Sequence, residues 1–317
     1  MTTDNLIGKI TIFSPVQITD YESDILIQKS EIEAKFGVVP DFLSFGVNEY
    51  QIKHFLRKQD ADVFDYVIRV PELLVGENII DIYKSNVDYT SDDTFAMYQN
   101  FKYGVPNTWK TGSNNGTIST DSIWNNIVWF NGLNSGAGWF KDVGTDYIRH
   151  QTADGFLITD DASKNEENYG YTYEAVVAFY SSTFWTFGFS SRNAAVVGRD
   201  GLATNDNNGR TINGQSPSNS AITTTYPVET SAIFTQHKMS FEVYSNKVVY
   251  KAVRLDTNQE VFNVERTRTL SALNSPRNQL KWWGGSQQSR WYYFLKRKNN
   301  IGETYNVEFF DEPVEDT

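Results

Sequence analysis

The chain has 317 residues, a net charge of −11 and no cysteine, and it is rich in aromatics, with 8 Trp, 18 Tyr and 21 Phe. Its length favours two domains and a core that needs neither disulfides nor metals to fold. The missing cysteine excludes zinc–thiolate sites and a cysteine nucleophile, and the acidic surface repels a phosphate backbone, so no nucleic-acid partner is expected.

The first residues, MTTDNLIGKITIF, show no basic stretch followed by an apolar one, and no run approaches the length of a membrane span. Membrane insertion is not expected. Alternation of period two then predicts strands at Ile10–Phe13, Ile25–Ile27, Phe42–Phe45, Gln51–Arg57, Tyr66–Val70 and Ile79–Tyr83. The one helical stretch is KSEIEAKFG, starting at Lys29 and stopped by Gly37. Pro71 removes a ladder donor and is expected to end the strand before it. Apolar residues lie on both faces of the Val63–Asn86 stretch, which predicts that one of its two strands is covered on both sides, as at a junction with the next domain or subunit. These features predict a β-sandwich in the first hundred residues.

Asn107–Asp121, rich in Gly, Ser, Thr and Asn, reads as a junction. Strands then resume at Ile127–Phe130, Gly155–Thr159, Tyr171–Tyr180, Phe184–Ser190, Phe241–Tyr244, Lys247–Arg254, Gln259–Val264, Leu280–Trp283, Trp291–Lys296 and Glu303–Phe310. Their number fits a two-sheet jelly roll. Arg199–Tyr226 is nearly all polar and reads as one long loop.

The order DILI (24–27), DFLSF (41–45), HFLRK (54–58), YVIRVP (66–71) and GENIIDIYKSN (76–86) resembles the domain of unknown function called DUF2341. That family shows D-h-h-h, then D-h-R-F, W-V-x-V-P and h-x-h-Y-Y-G-N. Here Phe42–Phe45 lacks the Arg, Tyr66 replaces the Trp, and Lys84-Ser85-Asn86 replaces Tyr-Gly-Asn. The resemblance covers residues 1–92. It implies a second domain over 93–317 similar to a concanavalin A-like lectin/glucanase jelly roll. FAMYQNF (95–101), MSFEVYSNKVVY (239–250) and SRWYYFLK (289–296) are similar to its strands, with Glu303–Phe310 closing the sandwich. Both domain types imply an outward-facing role, on a virion or a cell surface. A glycan or host-surface receptor, other structural proteins of a larger assembly and further copies of the chain are the expected partners.

The residues themselves offer little catalytic chemistry. A jelly-roll glycoside hydrolase needs two carboxylates close together. The nearest pattern, EVFNVE from Glu260 to Glu265, has Phe262 at its centre, and an unbulged strand puts its two Glu on opposite faces. His54, His150 and His237 are scattered without metal-ligand spacing. Asp160, Asp161 and Asp206 sit in oxygen-rich stretches that suit calcium, although Asn/Asp clusters more often form turns. Sugar binding stacks an aromatic ring on a pyranose and hydrogen-bonds its hydroxyls. Trp139, Trp185, Arg192, Trp282 and Trp283 are the candidates. Trp282 and Trp283 are consecutive in a strand, so a single-sided core takes only one of them.

Overall fold

The computed structural model describes residues 6–48, 50–59, 61–101, 144–150, 170–178, 235–267 and 290–311. It also describes the strand backbones at 110–111, 116–117, 122–124, 127–129, 139–142, 155–158, 185–190, 201–204, 212–215, 221–224 and 279–284. Among the described residues the chain is all-β, with one short α-helix and one 3-10 turn at Asp92–Thr94. It divides into two units, Met1–Tyr98 with Asn300–Thr317, and Gln99–Asn299.

In the first unit the strands are β1 (Leu6–Ser14), β2 (Ile18–Gln28), β3 (Phe42–Val47), β4 (Tyr50–Gln51), β5 (His54–Gln59), β6 (Val63–Leu73) and β7 (Gly76–Ser85), with α1 at Lys29–Phe36. A five-stranded sheet runs C-terminal strand–β1–β7–β3–β4, and a three-stranded sheet runs β2–β6–β5. Alternate residues point to one side of a strand, so Ile10 and Ile12, Ile80 and Ile82, and Phe64, Tyr66, Ile68 and Val70 form the buried layer between the sheets. Gly37 ends α1 as expected: its φ is 68°, and its N–H donates to the Glu33 carbonyl at 2.8 Å.

Three expectations change here. The strand predicted over Gln51–Arg57 is two strands in two sheets. The Ile52 N–H bonds the Phe45 carbonyl in the larger sheet, while the Arg69 N–H bonds the Lys53 carbonyl in the smaller one. The chain therefore switches sheets between Ile52 and Lys53. Next, β6 does not stop at Pro71; it stays paired with β2, Tyr21 opposite Val70 and Thr19 opposite Glu72. The Arg69 N–H points to the β5 side, so the N–H that Pro71 lacks would point the same way, beyond the end of β5. Third, the C-terminal strand, Thr304–Phe309, does not close the second sandwich. It pairs antiparallel with β1, from Gly8–Phe309 to Phe13–Thr304.

The second face of β6 is covered, but by residues of the same unit and not by a following domain or subunit. Val67 is fully buried. It pairs with Phe55, whose ring packs on Phe95 and Tyr98 with centroids 5.2 and 4.9 Å away.

The second unit contains two large sheets. One has eight strands, in the order Gly116–Thr117, Lys110–Thr111, Gly155–Ile158, Gln279–Gly284, Trp185–Ser190, Gly201–Thr204, Ile212–Gln215, Ala221–Thr224. The other is built around Tyr171–Ala178, Gln236–Val243, Lys247–Arg254, Gln259–Thr267 and Arg290–Lys298. The sheets touch where Gly201–Thr204 meets Gln236–Val243 and where Trp139–Asp142 meets Gly155–Ile158, which makes a sandwich. Arg199–Tyr226 is thus not one loop, since three of the eight strands come from it as successive hairpins. Its high Asn, Gly and Ser content masks the short four-residue strands in the sequence.

Candidate functional site

The eight-stranded sheet is two-faced by sequence. Register pairs Trp282 with Leu157 and Phe187, and Trp283 with Phe156 and Thr186. Paired residues share a face. One face therefore carries Leu157, Trp185, Phe187, Leu202, Leu280 and Trp282. The opposite face carries Phe156, Ile158, Thr186, Ala203, Asn213, Gln279, Lys281 and Trp283, and is the more polar of the two. The two adjacent tryptophans are split between an apolar and a polar face. Trp185 falls on the apolar one.

Trp139 lies in the other sheet, opposite His150 and on the same face as Ile148 and Trp291, which are both fully buried. Arg192, Asp160, Asp161 and Asp206 lie outside the described residues. Among the described residues no group of three or more His, Asp or Glu is placed to hold a metal ion.

The ten-stranded sheet is two-faced as well. Tyr173, Ala175, Met239, Phe241, Tyr250 and Phe294 form its buried apolar side. On the other side lie Thr172, Glu174, Ser240, Glu242, Lys251 and Tyr293. The two carboxylates of this side are both engaged. The Tyr293 hydroxyl donates to Glu174 at 2.7 Å, and Glu174 is 2% exposed. Glu242 accepts from Lys251 at 2.5 Å and from the Tyr244 hydroxyl at 2.9 Å. Burial, reinforced by the Glu242 carboxylate, pushes the Tyr244 hydroxyl well above its ordinary pKa. Glu174 stands opposite Ser240 and Glu242 opposite Thr172, so the two carboxylates are diagonal neighbours, a spacing of roughly 7–8 Å between backbones.

Glu260 and Glu265 differ from their sequence reading. A register shift between Ala252 and Val253 puts a bulge at Val261, and Glu260 and Glu265 pair with Val253 and Val249. The bulge brings both Glu to one face rather than opposite faces. They remain four positions apart along the partner strand, about 13 Å at ~3.3 Å per residue. Paired hydrolytic carboxylates stand about 5–9.5 Å apart. Glu265 bonds Lys247 at 2.8 Å and Glu260 accepts from Asn263 at 3.1 Å, and both Glu are exposed.

His54 and His237 are buried, at 1% exposure each. Their Nδ1 atoms lie 3.2 and 3.1 Å from the Ile52 and Thr235 carbonyls. Burial lowers both pKa values.

No family model matches the chain, and no curated protein matches it. Among solved structures, it is similar to the CBM2 module of the evolved Dit of Lactobacillus casei BL23 phage J-1, at 11% identity and a TM-score of 0.42, covering 68% of this chain and 97% of that one. A glycosyl hydrolase family protein from Mycobacterium fortuitum gives 13% identity and a TM-score of 0.39, over 64% and 99% of the two chains. A β-1,3-glucanase from Mycobacterium marinum gives 10% and 0.37, over 64% and 98%.

Sequence reasoning passed over Glu174, Glu242 and Tyr293. The available signal was a Glu in YTYEAVVA at the same parity as Thr172 and Val176, a polar position in an otherwise apolar strand.

Proposed function

We propose that the chain is a non-enzymatic surface protein. Its second unit binds carbohydrate, and its first unit attaches it to a larger assembly, a virion tail, fibre or capsid decoration. The observation that carries the carbohydrate reading is the register of Trp283. It shares a face with Phe156, in a field of Thr186, Asn213, Gln279 and Lys281. Aromatic residues at register positions beside Thr, Asn, Gln and Lys match what a pyranose requires: one apolar face to stack, and hydroxyls to pair.

The attachment reading draws on the end of the first sandwich around Gly76. Leu74, Val75 and Ile79 are more than half exposed, and Phe13, on the neighbouring strand, is 42% exposed. Clustered exposed apolar residues mark contact surfaces. The non-enzymatic reading draws on the separation of Glu260 from Glu265.

A glycan array probed with the purified chain, with and without added calcium, tests the binding role. Retention of at least one saccharide is expected, and none retained in either condition rejects it. Mass spectrometry of purified particles tests the assembly role.

One observation favours a second reading, a polysaccharide hydrolase: Glu174 and Glu242 are diagonal neighbours on one polar face. Reducing-sugar release that disappears in Glu174→Gln would establish it.

A further inference from the structure

We propose that the first unit carries a saccharide site of its own, formed by two clefts that meet at Gln51. One cleft, of about 710 Å3, is lined by the Val38–Asp41 turn, Ser44, Lys84, Asn86 and Tyr89. The other, of about 560 Å3, is lined by Asp20, Asn48, Tyr50, Lys53 and Arg69. Gln51 lines both. Each is within the size of small-ligand sites, about 300–1,000 Å3.

The walls are ordered by the fold. Asn48 takes a φ of 49° at the tight β3–β4 turn, where Val47 pairs with Tyr50, and this turn presents Tyr50 at 79% exposure. Asp20, between the paired residues Thr19 and Tyr21 of β2, has a φ of 50°. Its carboxylate accepts from Arg69 Nε and Nη2, at 3.3 and 3.2 Å, while Arg69 Nη1 donates to the Asp93 carbonyl at 2.9 Å. Arg69 and Asp20 are therefore fixed as one donor–acceptor pair beside an open aromatic ring. Tyr89, 47% exposed, supplies a second ring in the larger cleft. Two open rings flanking amide, carboxylate and guanidinium groups fit an uncharged oligosaccharide that runs across Gln51.

A peptide adding a strand fits less well. The outward groups of β3 are engaged, the Leu43 N–H by the Tyr66 hydroxyl and the Phe45 carbonyl by the Ile52 N–H.

This site is independent of Trp283. The test uses the full chain as wild type, as Tyr50→Ala/Tyr89→Ala, as Trp283→Ala and as all three changes together, each on an array of neutral oligosaccharides and on a peptide library. Both tyrosines are well exposed, so the double variant should keep the wild-type melting temperature. The expected result is saccharide retention in Trp283→Ala that falls at least about tenfold when both tyrosines are also removed. Retention lost in Trp283→Ala alone overturns the inference and leaves the second unit as the binding site. No retention by the wild type overturns both. Peptides retained through Tyr50 and Tyr89 in place of saccharides overturn the ligand class.

Discussion

The Tyr66 hydroxyl accepts the Leu43 N–H at 3.0 Å and so ties the two sheets of the first sandwich together. Both residues are buried. Tyr66→Phe keeps the ring but orphans the Leu43 N–H, which is expected to cost about 1–3 kcal/mol in urea unfolding. Burial also pushes the Tyr66 hydroxyl up to about 12, from an ordinary 10.0. Because the folded value is the higher one, the stability linked to this group is present below pH 10 and lost as pH rises toward 12. The wild type should therefore lose more stability than Tyr66→Phe across that window.

His54 and His237 have the opposite sign. Their folded pKa values lie below the ordinary 6.5. The unfolded chain then binds more protons at mildly acid pH, so the stability they carry is present above pH 6.5 and falls as pH drops below it. Thermal unfolding from about pH 7.5 to 5 should show a falling melting temperature. His54→Phe, placed beside Phe45 and Tyr66, should flatten part of that slope.

Trp282 and Trp283 should separate stability from binding. Trp282→Ala removes a large ring from the apolar face and is expected to cost about 3–5 kcal/mol. Trp283→Ala should change stability by no more than about 0.5 kcal/mol, as surface substitutions do. Chemical denaturation of both variants checks this. Equal large losses would show that the polar face is not a surface.

Gly8 holds the C-terminal strand. A Cβ at this position would lie 2.5 Å from the Glu308 carbonyl oxygen. Gly8→Ala should push Thr304–Phe309 away from β1 and cost about 1–3 kcal/mol. Faster amide exchange confined to Thr304–Phe309 would report the detached strand.

How far the sequence could be read follows from what periodicity encodes. Alternation reports which residues share a face, so Tyr66–Val70 and Tyr171–Tyr180 are legible as strands, and Gly37 as a helix stop. It does not report the neighbouring strand. TYNVEF looks the same whether it closes a second sandwich or pairs with β1, and the close approach that Gly8 allows shows only in the folded pair. Nor does it report a change of sheet: Ile52 and Lys53 continue one extended run yet bond different sheets. The Val261 bulge reverses the facing of Glu260 relative to Glu265 without a sequence mark. For the candidate site, the adjacency of Trp282 and Trp283 already required them to part. Which of them joins Phe187, and which joins Thr186, depends on pairing with strands about 100 residues away, as set by the antiparallel register.

The most direct test of the carbohydrate role of the second unit is calorimetric titration of Tyr50→Ala/Tyr89→Ala, with and without Trp283→Ala, with the saccharides of the array. Saturable binding is expected with Trp283 present and its loss with Trp283→Ala, both proteins melting at the same temperature. Undiminished binding when Trp283→Ala is added, or no heat from any saccharide with Trp283 present, would contradict it.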